Sequence, residues 1–221
     1  MNEELLEFLG RINTGDLTTF HKTRHKEYNL DIVETISSNE EGTTATTGWC
    51  VVDSFSDVSF TMQPSELRRY LQLGREITSN KNGLIVKGEN DTFKLSRYIQ
   101  PEKQEGIKVE YENAPICIPT RVMKSLHDTG KETFKNFGLA IIEGKLKIVG
   151  FFEDTKEGYF TTTCTVNHPD IELQFDGKIN KIFSNIGHGV FAYLGGEDTL
   201  MMLLTRGNGW EIKHHLVPIG D

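Results

Sequence analysis

Leu139-Ala140-Ile141-Ile142-Glu143-Gly144-Lys145-Leu146-Lys147-Ile148-Val149 is the stretch that decides the fold class. Two β-prone runs flank Glu143-Gly144, and glycine supplies the positive φ of a tight hairpin turn. The stretch predicts antiparallel strands at 139–142 and 145–149. Just upstream, residues 120–129 change period: Val122, Met123 and Leu126 share one helical face, and Thr120 is suited to cap it. A short helix followed by an antiparallel hairpin is the unit from which the remainder is read.

Strands dominate that remainder. Leu84-Ile85-Val86, Phe93-Lys94-Leu95 and Ile107-Lys108-Val109 are short β-prone runs bounded by Gly, Asn and Asp. Further strands are expected at 28–37, 44–53, 58–62, 159–166, 171–175, 190–194, 200–205 and 210–217. Three more segments carry helical period. Residues 3–12 place Leu5, Phe8, Leu9 and Ile12 on one face. Residues 64–73 place Leu67, Tyr70 and Leu71 inward, with Pro64 suited to a first turn. Residues 178–186 place Ile179, Ile182, Phe183 and Ile186 inward. Isolated helices this short are marginal in water, so each must be held against a sheet.

The chain also echoes itself. Leu71-Gln72-Leu73-Gly74-Arg75-Glu76, followed by Asn82-Gly83-Leu84-Ile85, resembles Leu126-His127-Asp128-Thr129-Gly130-Lys131-Glu132, followed by Phe137-Gly138-Leu139-Ala140. One such match also fits coincidence. Together with four short helices spread among strands, it indicates a helix-plus-strands unit used repeatedly. Residues 100–106 are polar and contain Pro101 and Gly106, and Asn113-Ala114-Pro115 precedes the third helix. The expected division is an N-terminal domain at 1–106 and a C-terminal domain at 107–221, each with two helices.

With 221 residues, the chain can form one large domain or two small ones, either with a real core. Its 37% hydrophobic and 25% charged residues are ordinary for a globular protein. No apolar run approaches the roughly 18 residues that span a bilayer, so no membrane association is expected. Met1-Asn2-Glu3-Glu4 is acidic where a secretory signal is basic. Cys50, Cys117 and Cys164 are odd in number, far apart and without metal-ligand spacing. An intracellular, reducing compartment is the simplest expectation. The net charge of −8, taken alone, argues against a nucleic-acid partner. What matters, however, is whether positive charge is collected on one surface.

The polar sides of the helices bear on that question. On the second, Arg68, Arg69 and Gln72 point away from the leucine face, and Arg75 follows. On the third, Arg121 and Lys124 share a face, with Lys131 and Lys135 just beyond. On the fourth, Lys178 and Lys181 share a face with Asn185. Solvated helix faces often carry Lys and Arg, so this pattern also fits ordinary solubility. The first helix departs from it, with Glu3, Glu4 and Glu7 against a single Arg11. A second basic cluster, His21-Lys22-Thr23-Arg24-His25-Lys26, reads either as a solvated loop or as a flexible phosphate contact.

Several short stretches resemble the sliding DNA clamps of T-even-type bacteriophages, which are similar in fold to proliferating cell nuclear antigen. Helix one running into Arg11-Ile12-Asn13-Thr14-Gly15 resembles their first helix and turn. Ile77-Thr78-Ser79-Asn80-Lys81-Asn82-Gly83-Leu84-Ile85-Val86-Lys87 resembles the strand pair after their second helix. The longest match runs from Ile118 to Asp154 through Gly130, the Glu143-Gly144-Lys145 hairpin, Gly150-Phe151 and Glu153-Asp154, and resembles the start of their second domain. The spacing from Phe175-Asp176-Gly177-Lys178-Ile179-Asn180 to the terminal strands also fits.

The resemblance implies an α+β clamp fold: two similar domains, each with two short helices on antiparallel sheets, and three subunits closing head to tail into a ring. Helices line the hole, and sheets form an acidic outer wall. It implies a processivity factor that encircles double-stranded DNA and tethers the replicative DNA polymerase, without reading sequence. Arg11, Lys22, Arg24, Arg68, Arg69, Arg75, Arg121, Lys124, Lys131, Lys178 and Lys181 would then face DNA. Client peptides would meet a pocket walled by Leu216-Val217-Pro218-Ile219 with Ile116 and Ile118, residues that equally fit the end of a core strand. The implied partners are the homotrimer itself, the polymerase, an ATP-dependent loader and, in some relatives, transcription factors. The implied location is the cytoplasm of an infected bacterium.

An enzyme fits poorly. His214 and His215 are adjacent on an expected strand, so they point to opposite faces. His21 and His25 lack a paired Cys or carboxylate motif, and Cys50 lacks a partner base. No Gly-rich loop with Lys-Ser/Thr is present for ATP. No catalytic residue, metal or cofactor is expected. Two alternatives remain: a monomeric viral polymerase accessory factor with one basic face, and a β-rich virion structural or interaction protein.

Overall fold

The first helical period becomes α1 (Glu3–Arg11), which buries Leu5, Phe8 and Leu9, with Ile12 buried just beyond it. The second becomes α2 (Pro64–Gln72), which opens on Pro64 and buries Leu67. Gly74 closes it at a φ of +70°. The N–H groups of Gly74 and Arg75 donate back to the carbonyls of Leu71 and Tyr70 at 2.9 and 3.1 Å, a Schellman turn that satisfies the last carbonyls.

The computed structural model describes residues 3–14, 16–40, 42–80, 83–95, 116–118, 136–151, 164–176, 182, 185, 190–194 and 201–219. The strands before the middle of the chain are β1 (Thr18–Arg24), β2 (Asp31–Ser38), β3 (Thr44–Val51), β4 (Phe60–Met62), β5 (Glu76–Asn80), β6 (Gly83–Lys87) and β7 (Thr92–Leu95). Those after it are β8 (Ile116–Ile118), β9 (Asn136–Ile142), β10 (Lys145–Phe151), β11 (Cys164–Thr165), β12 (Ile171–Asp176), β13 (Val190–Leu194), β14 (Met201–Gly207) and β15 (Trp210–Leu216).

The chain forms two units. The first comprises Met1–Glu40, Ala45–Ile107 and Arg206–Ile212. Its larger sheet runs β4-β1-β2-β3 and then the start of β15, and its smaller sheet runs β5-β6-β7. The registered pairs are antiparallel. One core joins the helices to both sheets: Phe8, Leu9, Ile12 and Leu67 meet Phe20, Val33, Cys50 and Phe60, with Ile77, Leu84, Trp210 and Ile212. Each such large side chain, fully buried, contributes about 1.5–3 kcal/mol of transfer free energy. α1 can approach because Gly48 of β3 has no side chain. A Cβ there would lie 2.9 Å from the Phe8 ring and 2.9 Å from the Glu211 carbonyl oxygen.

The second unit comprises Glu41–Thr44, Lys108–Thr205 and Lys213–Asp221. One sheet runs β11-β10-β9-β12; the other takes the end of β15, then β14, β13 and β8. The expected hairpin is present and longer than predicted, with Ile142 paired to Lys145 and Asn136 to Phe151. Glu143 and Gly144 both adopt positive φ, 52° and 68°, which matches the right-handed twist of the strands. The core gathers Ile116, Ile118, Phe137, Leu139, Ile141, Leu146, Leu173, Phe175, Ile182, Ala192, Met201, Leu203 and Leu216. The predicted third helix lies outside the described residues. Of the fourth, Ile182 and Asn185 are described; both are helical, and Ile182 is buried.

The loop expected at 21–26 is corrected. Residues His21 to Arg24 are the second half of β1, paired with Glu34 to Asp31 of β2. Thr18 and Phe20 anchor the strand in the core, and the charged half follows by ladder hydrogen bonding rather than by burial. Among the described residues, no helix is long and apolar enough to cross a membrane.

Two consequences follow for stability. Gly48→Ala is expected to cost about 1–3 kcal/mol in urea unfolding, because backbone and a packed ring must both move. His214 of β15 is fully buried, and that burial, with the neighbouring His215 second, pushes its pKa down to about 3 from 6.5. It folds neutral, so its contribution is complete above pH 6.5 and is lost as pH falls toward 3. Burial and Lys213 shift His215 in the same direction. Urea unfolding at pH 7.5 and 5.5 should show a loss of roughly 1.4 kcal/mol from His214 alone. A flat profile would mean that the imidazole takes its proton inside the fold.

Candidate nucleic-acid interface

Arg11, Lys22, Arg24, Arg68, Arg69 and Arg75 lie within the described residues; Arg121, Lys124, Lys131, Lys178 and Lys181 lie outside them. The interface can therefore be built for α1 and α2 of the first unit.

α1 presents an acidic polar face. Arg11 closes on Glu7, one turn back, at 3.6 Å. Glu4 Oε1 accepts a hydrogen bond from Asn208 Nδ2 at 3.4 Å. α2 is different. Arg69 is exposed and has no ion pair among the described residues. Arg68 is half-buried, and its guanidinium lies across Gly10 of α1. A Cβ on Gly10 would sit 3.2 Å from Arg68 Nη1, so the glycine makes room for the cation. The buried Arg68 Nε has no hydrogen-bond partner among the described residues. Glu66, the acidic residue of this helix, accepts a hydrogen bond from the Tyr70 hydroxyl at 3.0 Å. Burial first, and Glu66 second, push the Tyr70 pKa up. α2 thus supplies Arg68 and Arg69 beside an acidic neighbour.

The other cations have partners. Arg75 Nη2 meets Asp91 at 2.9 Å, and its guanidinium stacks 4.6 Å over the Phe93 ring. It ties the end of α2 to the β6–β7 turn. Lys22 Nζ meets Asp57 at 2.9 Å and Asp31 at 3.8 Å. The hydrogen bond that Lys22 Nζ donates to Asp57 is the main reason that the Lys22 pKa is raised, with the charges of Asp57 and Asp31 acting the same way against burial. Lys22 is therefore held on a strand beside two carboxylates rather than on a flexible loop. Arg24 is exposed and donates Nε to the Asn29 carbonyl at 3.3 Å.

The expected client pocket separates into two kinds of residue. Ile116, Ile118 and Leu216 are buried in the core of the second unit. Val217 and Ile219 are exposed, and Pro218 is partly so. The Val217 N–H donates to the Thr43 carbonyl at 2.9 Å, and the Ile219 N–H to the Gln174 carbonyl at 2.7 Å. These two bonds hold the exposed apolar pair in place. Thr43 and Gln174 were not foreseeable, because backbone acceptors carry no side-chain signature.

Burial pushes the Cys50 thiol up to about 12, with the Glu4 charge adding to it. Among the described residues, no three His, Cys, Asp or Glu side chains are placed to hold a metal ion.

No family model matches the chain. No curated protein matches it either. Solved structures do match its fold. Proliferating Cellular Nuclear Antigen from Entamoeba histolytica has a TM-score of 0.66 at 11% identity, over 98% of this chain and 95% of that one. A. fulgidus PCNA, bound to the C-terminal region of FEN-1, has a TM-score of 0.70 at 12% identity, over 98% and 96%. The chain has a PCNA-like clamp fold, built mostly from antiparallel sheets with few helices.

Arg75 should behave as a brace rather than as a freely placed cation. Arg75→Ala is expected to cost about 1 kcal/mol in denaturant unfolding, and the double-mutant cycle with Asp91→Ala should show coupling. Additive effects would contradict the brace.

Proposed function

We propose that the chain is the subunit of a sliding clamp, a processivity factor that encircles duplex DNA and tethers the replicative DNA polymerase. The observation that supports this most is the end-to-end match of the fold to proliferating cell nuclear antigens. In this reading, residues 1–106 and 107–221 are the two clamp domains, and three subunits close into a ring. The resemblance of residues 118–154 to T-even-type phage clamps makes it a phage protein, working in the cytoplasm of an infected bacterium.

The mechanism is electrostatic and topological. Encirclement keeps the ring on DNA, so its cations need supply only weak, sequence-independent contacts. Arg68 and Arg69 of α2 are the cations best placed for this in the first unit, and Arg24 is a further exposed one. Arg121, Lys124, Lys131, Lys178 and Lys181 complete the set by sequence. Arg11, Lys22 and Arg75 contribute less, because Glu7, Asp57 and Asp91 neutralise them. The net charge of −8 suits an outer wall that repels DNA. Nothing in this task requires a reaction or a cofactor.

Clients are bound by peptide capture. A. fulgidus PCNA is described bound to the C-terminal region of FEN-1, and Val217 and Ile219 here, with the partly exposed Pro218 between them, form an apolar segment suited to such a peptide. The polymerase, an ATP-dependent loader and transcription factors are the proposed clients.

Light scattering coupled to size exclusion should return three times the chain mass. A stable monomer would favour the accessory factor that lies on DNA by one face. Rings loaded on a nicked circle should persist in high salt and be released when the circle is cut. Equal loss from circular and linear DNA would exclude encirclement.

A further inference from the structure

Gly10 is the residue of α1 that helix formation explains least. Glycine inside a helix gives up more backbone entropy than any other residue, and a nine-residue helix has little stability to lose. The neighbouring helix supplies a reason. A Cβ on Gly10 would lie 3.2 Å from Arg68 Nη1 and 3.3 Å from Arg68 Cζ, so a side chain there crowds the guanidinium. The guanidinium is the far end of a flexible side chain, and it is the group that would give way.

Arg68 is held differently from the other cations of this unit. Arg11, Lys22 and Arg75 each end on a carboxylate, whereas Arg68 has no ion pair among the described residues. It lies instead against the last turn of α1. The carbonyl ends of the peptide dipoles there attract a cation without cancelling its charge. Its Nε is buried with no acceptor among the described residues, and a donor desolvated in that way destabilises a fold. Arg68 is therefore fixed in place, keeps its charge and adds little to the stability of the helix pair.

Positive charge that the fold neither cancels nor uses for itself suits an anion from outside. Ser65 and Gln72, one turn to either side of Arg68 on α2, are exposed neutral donors. Glu66 is engaged by the Tyr70 hydroxyl. One fixed cation flanked by neutral donors matches the phosphate oxygens of a duplex backbone. Arg69 carries the same charge but is exposed. An exposed arginine must be ordered when the phosphate arrives, whereas a guanidinium already seated loses little further freedom.

We propose that Gly10 is a positioning residue, which keeps open the seat on α1 from which Arg68 meets a DNA phosphate. Arg68, not the more exposed Arg69, then makes the stronger contact. The inference rests on the reading that the partner is duplex DNA, but not on closure of a ring.

Anisotropy of a short labelled duplex of arbitrary sequence, titrated with the intact protein at low ionic strength, tests it. Arg68→Ala should lower the affinity about tenfold, and Arg69→Ala only about two- to threefold. Arg68→Ala should also flatten the dependence of affinity on salt. Gly10→Ala should give a smaller loss, and Gly10→Gln, whose side chain fills the seat, a loss close to that of Arg68→Ala. Neither Gly10 variant should weaken binding further once Arg68 is alanine. In the protein without DNA, the shielded Arg68 Nε–H should give its own signal in a proton–nitrogen spectrum, lost in Gly10→Gln. The melting temperatures of Arg68→Ala and Gly10→Ala should stay near that of the wild type. The seat is overturned if the wild type has no measurable affinity, or if Arg69→Ala weakens binding more than Arg68→Ala. It is equally overturned if Gly10 and Arg68 effects are additive, or if Arg68→Ala lowers the melting temperature and leaves the affinity unchanged, as a plain brace between helices would. Subunit mass and retention on circular DNA report separately on the clamp. A monomer with Arg68-dependent binding removes the ring and keeps the seat, and a ring indifferent to Arg68→Ala does the reverse.

Discussion

A nine-residue helix in water cannot offset the backbone entropy it loses with the few hydrogen bonds it forms. α1 and α2 exist because Phe8, Leu9, Ile12 and Leu67 are removed from water against a sheet. That sheet includes the start of β15, from the far end of the chain, which contributes Trp210 and Ile212 to the same core. Gly48 permits the approach, and the Phe8 and Trp210 rings meet at 6.5 Å. Once the apolar faces are committed, the polar faces are committed too. The polar surface that the helices present is thus a by-product of how they are held.

That surface differs from what a count of basic residues suggests. An acidic protein surrounds its cations with carboxylates, and Lys22, Arg75 and Arg11 have each found one. Exposed pairs of this kind add little stability, but they do spend positive charge that would otherwise face a phosphate. Arg68 is used in a third way: a glycine on the neighbouring helix lets it lie across the helix–helix seam. If the chain encircles DNA as proposed, such weak contacts suffice, because topology rather than affinity holds a closed ring.

The α+β architecture, both described helices and most described strands were legible in the sequence. Period 3.6 in Leu5-Phe8-Leu9-Ile12, and the paired β-prone runs about Glu143-Gly144, are local signals that burial later reinforces. β1 was not legible, because His21-Lys22-Thr23-Arg24 has no apolar alternation; its strand character comes from pairing with β2, a partner that sequence alone does not name. The basic side of α2 was foreseeable from spacing. Which of its arginines remained available was not.

The sequence by itself determined the element types, the acidic balance and the polarity of each helix face, since these depend on residue order and on neighbours within a turn or two. Only the tertiary structure decided which charges are neutralised and which residues are exposed. Asp57 lies far from Lys22 in the chain, yet meets it at 2.9 Å, and Leu216 is buried while Val217 beside it is open. Coulombic and solvation energies depend on distance and depth in space, and those are settled only when strands remote in sequence have paired.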